Sequence, residues 1–192
     1  MPPTITTQPT NQDIAWAQTA ALTVMASGTA PVTYQWYSGT SGNTSTPIRG
    51  ATSNSYTTPP LISDTRHWVR VLNAGGSVDS ITATVSVVFT DATLTAGSSS
   101  IRLLHVAELR QRIDALRGRF GLLPYAWVDV TLVAGVTPIK AQHILNLRQA
   151  LAEVYSKAGF TPPTYTDPEL GLGTTMQVAH ISELRAAVRA IE

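Results

Sequence analysis

Three stretches decide how the second half of this chain folds: "DATLTAGSSSIRLLHVAELR" (91–110), "DVTLVAGVTPIKAQHILNLR" (129–148) and "DPELGLGTTMQVAHISELR" (167–185). Each opens on an aspartate, passes a leucine and a glycine, and ends on His-x-x-x-Leu-Arg. The aspartates recur every 38 residues; the histidines are 38 and then 37 apart, because the third copy is one residue shorter before its histidine. A fixed period of this size marks a repeat architecture, in which one unit is too small to bury its own apolar face.

Around these stretches the apolar residues recur at i, i+3, i+4 and i+7, the period of an amphipathic helix. Ile101, His105, Leu109 and Ile113 step by four, which sets His105 on or beside the apolar stripe. Ile144 and Leu147 flank His143, and Ile181 and Leu184 flank His180, in the same way. Ser100, Thr137 and Thr175 stand ahead of the helices as candidate N-caps, with Pro138 suited to a first turn. Gly121 and Gly159 are placed to end two of the helices. Residues 91–192 therefore read as an all-α domain of three loop-helix units, about 91–128, 129–166 and 167–192. An open stack of such units would leave its last helix awaiting a further copy or a cap.

The recurring polar residues admit sharper readings. A half-buried histidine must satisfy two ring nitrogens, and the loop carbonyls of its own unit are the expected partners of His105, His143 and His180. A three-histidine zinc site would need three nitrogens at about 2 Å from one ion, whereas neighbouring helices lie about 10 Å apart. Repetition thus favours structural histidines and no metal. Arg110, Arg148 and Arg185 are expected to pair with a loop aspartate, Asp91, Asp129 or Asp167, of their own or an adjacent unit. The competing reading is an Arg/His ladder for an anionic glycan. "DATLTAG" lacks the dense oxygen ligands of a calcium loop.

Residues 1–90 follow a different pattern. "AALTVMAS" (20–27), "VTYQWYS" (32–38), "HWVRVLN" (67–73) and "ITATVSVVF" (81–89) alternate or are rich in β-branched and aromatic residues, and Gly-, Pro- and Ser-rich turns separate them. Short strands so spaced predict an all-β sandwich. "SGTAPVTYQWYSG", "ATSNSYTTPPL" and "RHWVRVLNAGGSVDS" together resemble the bacterial immunoglobulin-like repeats found in tandem in large extracellular proteins. The resemblance implies Trp36 as the core tryptophan, Val24 and Val69 in the places of the paired cysteines, and "NAGGS" as a hairpin. His67 stands where that family usually has a tyrosine. In the second half, "YTD" (165–167) and "TPIKAQHILNLRQAL" (137–151) resemble the S-layer homology repeat, a three-copy family that anchors proteins to cell-wall polysaccharide. These units are shorter, lack that family's first long helix, and carry His at its acidic position.

Strand alternation places Gln35 and Tyr37 on one face, and Trp68 and Arg70 on the same face of the neighbouring strand. The four are expected to form an exposed aromatic–polar patch suited to a sugar or a protein. Trp16 is a candidate contact residue, and Trp127 a plug between a loop and the helical core.

The composition narrows the function. Of 192 residues, 43% are hydrophobic and 13% charged, with a net charge of +1 and no cysteine. Disulfides and thiol chemistry are excluded, and nothing in the charge invites nucleic acid. No stretch has the roughly 18 apolar residues of a membrane helix, and "MPPTITTQPT" is not a signal peptide. The first half has no lysine, which excludes a Lys–Asn isopeptide cross-link there. The motifs of hydrolases, nucleotide-binding proteins and zinc proteases are missing. The expectation is a non-enzymatic extracellular or cell-surface protein, structural or adhesive, without catalytic residues or cofactor. Its expected partners are other proteins or further copies of itself. The alternative is a glycan- or cell-wall-binding accessory module that takes polysaccharide.

Overall fold

The computed structural model describes residues 1–171 and 174–192. The chain forms two compact units, Met1–Val88 and Phe89–Glu192.

The first unit is an immunoglobulin-like β-sandwich. Its larger sheet runs β2 (Gln12–Ala15), β9 (Ala83–Val88), β7 (Thr65–Asn73), β5 (Thr33–Ser38), with β8 (Gly76–Asp79) pairing the far end of β7. The opposite layer is made of β1 (Thr4–Thr7) on β4 (Met25–Ser27), and β3 (Ala21–Thr23) on β6 (Ser55–Thr57). The N-terminal segment serves both layers: β1 is antiparallel to β4 and β2 parallel to β9.

The period-2 pattern of β9 sends Ala83, Val85 and Val87 inward. They meet Leu22, Val24, Trp36 and Val69, all within 1% of full burial. Trp36 can be this deep because its indole N–H donates to Ser53 O at 2.9 Å. "NAGGS" makes the β7–β8 hairpin, with Asn73 opposite Gly76. Asn73 Oδ1 accepts the Gly75 N–H, and Gly76 takes φ +135°, which a side chain would oppose. Trp16 is half-buried against this core rather than standing free.

The expected exposed patch is corrected. Tyr37 does lie opposite Trp68, and Gln35 opposite Arg70. Trp68, however, is completely buried, its ring stacked on Tyr37 at 4.5 Å and 13°. The turn after β5 spans β7 beside it: Gly39 N–H donates to Arg66 O, while Ser41 bonds Thr82 Oγ1 and Ser80 O. Arg70 sits 5.5 Å from the Trp68 ring and forks onto Asp79 at 2.7 and 2.8 Å. Gln35 donates to Trp36 O and Ile48 O. Trp68 is thus buried where exposure was expected, while Gln35, Tyr37 and Arg70 are half-buried.

In the second unit, α1 (Leu103–Arg119), α2 (Ala141–Ala158) and α3 (Val178–Arg189) each pack against the other two. The units are not an open stack; they close on themselves. The residues one, four and eight after each histidine build one core: Val106, Leu109 and Ile113; Ile144, Leu147 and Leu151; Ile181, Leu184 and Val188. The true N-caps are Arg102, Lys140 and Gln177, so Ser100, Thr137, Thr175 and Pro138 precede the helices. The hydroxyls tie the loops instead: Ser99, Thr137 and Thr174 accept the N–H of Thr95, Val133 and Gly171. Gly159 ends α2 in the left-handed conformation at φ +81°. The glycine of the third loop, Gly173, lies outside the described residues.

One buried base makes the sandwich sensitive to acid. His67 is 5% exposed, and burial pushes its imidazole below the ordinary 6.5. The unfolded chain therefore takes up the proton first, so stability is lost as pH falls from about 6.5 toward the folded value. The urea midpoint of the Trp36 indole resonance should fall over that window and flatten in His67→Phe; an unchanged slope would exclude His67 as the cause.

Candidate functional site: the threefold His, Asp and Arg cluster

The repeated histidines begin the helices. In each unit the histidine is the third helical residue and its Nδ1 accepts the backbone N–H of the N-cap: Arg102 to His105, Lys140 to His143 and Gln177 to His180, each at 3.2 Å. This is one half of a capping box, the N3 side chain reaching back to the N-cap amide, a place usually held by Glu or Gln; the histidine backbone N–H in turn donates to the N-cap carbonyl. Because a backbone N–H can only donate, Nδ1 carries the lone pair and the proton of the neutral ring sits on Nε2. That nitrogen lies 3.0 Å from Asp91 Oδ2, 3.1 Å from Asp129 Oδ2 and 2.7 Å from Asp167 Oδ2. The partners are thus the carboxylate of the unit's own loop and the N-cap amide, not loop carbonyls. All three rings are fully buried and both nitrogens of each are committed. Among the described residues no group of three or more His, Asp and Glu is placed to hold a metal ion.

The loop aspartates are pinned from two sides. Asp91 bonds His105 and the Arg102 guanidinium, which hold its carboxyl below the usual range. Lys140, at 2.7 Å, and His143 do the same for Asp129. Asp91 and Asp129 both take φ +50°, a region that aspartate tolerates better than most side chains. Each carboxylate bonds its own helix, and each carbonyl is taken by a different one, α3 for Asp91 and α1 for Asp129.

The arginines read those carbonyls. Arg110 of α1 donates to Val128 O and Asp129 O, at 2.6 and 2.9 Å. Arg148 of α2 donates to Asp167 O. Arg185 of α3 donates to Thr90 O and Asp91 O, at 2.7 and 2.8 Å. The expected arginine–aspartate latch exists, but it grips the main chain of the next unit rather than its carboxylate. The third link returns to the first unit and closes the ring. Burial pulls all three guanidinium groups below their ordinary value, as expected of cations held on neutral carbonyls.

Two elements of this site escaped the sequence reading. An aromatic residue stands two places before each aspartate, and the arginine lies over it: Arg185 on Phe89 at 4.7 Å, Arg110 on Trp127 at 5.2 Å, Arg148 on Tyr165 at 4.3 Å. The spacing was readable, but three different aromatic types obscured it. Trp127 also donates its indole N–H to Asp114, and so fixes the loop after α1 as a plug. The second element explains why the second copy departs from the others. Glu108 accepts from Thr90 N and Oγ1, and Glu183 from Thr166 N and Oγ1. The second copy replaces both partners together, with Val128 for the threonine and Asn146 for the glutamate.

Residues 2–90 match the family model described as "Ig-like domain CHU_C associated". No curated protein gives a match. Solved structures similar to this chain include a chimeric titin Z1Z2 carrying a KLER peptide from decorin, at 19% identity over 45% of this chain and 94% of that one, with a TM-score of 0.36. Others are the Sidekick-1 immunoglobulin domains 1–5 (17% identity, 45% of this chain, 19% of that one, TM-score 0.37) and the tandem Ig repeats of Dlar (16%, 44%, 45%, 0.38). At such identities the likeness concerns the fold alone.

Two predictions test the ring. Arg110→Ala, Arg148→Ala and Arg185→Ala should each cost about 1–3 kcal/mol, because each removes a buried guanidinium from the part-buried main-chain carbonyls of the next unit. Chemical denaturation of the second unit would show it. Equal costs support closure, whereas an open stack would make Arg185→Ala nearly silent. The depressed Asp91 and Asp129 contribute stability that is fully present above about pH 4 and is lost as pH falls through their lower folded values. Asp91→Asn with Asp129→Asn should flatten the acid limb of the melting curve; a retained limb would place the effect elsewhere.

Proposed function

We propose that this chain is a non-enzymatic structural segment of an extracellular bacterial surface protein, in which an immunoglobulin-like module is joined to a three-unit helical module. One observation carries the reading: the polar residues that recur in every unit are consumed in holding the fold together. His105, His143 and His180 cap helices, Asp91, Asp129 and Asp167 orient them, and Arg110, Arg148 and Arg185 join the units. The aspartates keep part of their carboxylates in solvent, but both ring nitrogens of each histidine are occupied, and a base with no free nitrogen supports a structural role.

The match of residues 2–90 to an Ig-like family supports a role in display or protein contact. No helix among the described residues is long and apolar enough to cross a membrane. The glycan-binding alternative has two candidate surfaces: the Tyr37–Trp68 patch, whose Trp68 ring is buried, and the Arg/His ladder, whose side chains bond within the fold. In this reading the partners are other proteins or further copies of this one.

Light scattering and electron microscopy at rising protein concentration test the role. Defined oligomers or ordered fibres are expected from a subunit that associates with itself. A strict monomer throughout would remove self-assembly and leave a spacer between other modules.

A further inference from the structure

The three interfaces of the helical unit are built from one set of bonds, and the last of them joins residues far apart in sequence. Arg185 reaches Asp91 O and Thr90 O across 94 and 95 residues. Arg110 makes the same fork onto Val128 O and Asp129 O, and Arg148 binds Asp167 O. Nothing in this bond set records which chain supplies the accepting carbonyls.

From this we propose that two copies of the protein exchange their third units, the α3 of one chain closing the ring of the other. The proposal rests on the self-association in the preceding reading and gives it a mechanism. The exchanged block carries its contacts with it: Arg185 on Phe89 and the Thr90 and Asp91 carbonyls, Ala187 O accepting from Tyr155 Oη at 2.7 Å, and Glu192 on Arg112 at 3.1 Å. Each of these contacts forms equally well with a residue of a second chain, so the exchanged and unexchanged rings bury the same core.

The span between α2 and the third loop suits the hinge. Residues 159–164, "GFTPPT", are exposed except for half-buried Pro163. Pro162 and Pro163 fix their own φ near −65° and push the preceding residue to an extended conformation. Beyond the left-handed Gly159 and Phe160, whose N–H bonds Tyr155 O, residues 161 and 162 are therefore held extended whether the chain returns to its own ring or crosses to another.

Concentration decides between the two closures. Within one chain, α3 competes at an effective concentration of about a millimolar. Folding at micromolar concentration gives closed monomers, and folding near a millimolar gives exchanged dimers. Once formed, a dimer separates only by opening its interfaces, so it persists on dilution.

The test refolds the full chain from denaturant at about 10 μM and about 1 mM, and measures mass by light scattering after both are diluted to the same concentration. The double variant Gln111→Cys with Ala186→Cys is carried through the same steps; both positions are exposed, on α1 and α3. The chain has no native cysteine, so a flexible bismaleimide joins only these two sites. The expected result is a persistent dimer from the concentrated sample, which after cross-linking and denaturation runs as two covalently joined chains. The dilute sample should run as one. A dimer whose cross-links stay within single chains overturns exchange and leaves self-association by another surface. No dimer after refolding at either concentration overturns exchange and leaves the structural reading untouched.

Discussion

The helical unit depends on the grip of each arginine on the main chain of the next unit. A guanidinium has five donors and no acceptor, so a buried one needs several oxygens in fixed places. Here the oxygens are carbonyls at the start of a loop, where an aspartate with φ +50° has turned the peptide planes. The aspartate holds that conformation because its carboxylate is held in turn by the histidine of its own helix. Helix start, loop conformation and contact between units thus form a single chain of dependence in the first two loops, and the third keeps the histidine–aspartate and arginine–carbonyl bonds.

Much of this could be read from residue order, and what could not has identifiable causes. Helical periodicity fixed the three helices, and the burial of His105, His143 and His180 followed from their place on the stripe. The N-caps moved because histidine took the role usually given to glutamate, and that role shows only when ring nitrogens have coordinates. Closure was not legible, since residue order fixes the spacing of the repeats along the chain but not whether their interfaces turn through a full circle. Arg185 on Asp91 was the missing fact.

The sandwich teaches a related lesson. Alternation put Gln35, Tyr37, Trp68 and Arg70 on one face, and pairing of β5 with β7 bears this out. Facing away from the core is not the same as exposure. The turn at Gly39–Gly42 crosses the strand, and Tyr37 stacks on the indole, so an outward residue became a buried one. A loop of small and polar residues carries no periodic signal to announce that it covers anything. Phe89 ran the other way: its apolar character read as the end of β9, yet it packs in the helical core beneath Arg185.

Closure also bears on how such a sequence can change over time. An open solenoid tolerates gain or loss of a unit, because each repeat meets only its neighbours and the ends are capped separately. A ring of three has no end at which to add. Duplicating one 38-residue segment would add a helix for which a closed three-helix core has no place, and deleting one would leave two helices to enclose that core. Copy number is therefore set by geometry, while individual positions can differ between units in matched pairs, as Val128 and Asn146 do.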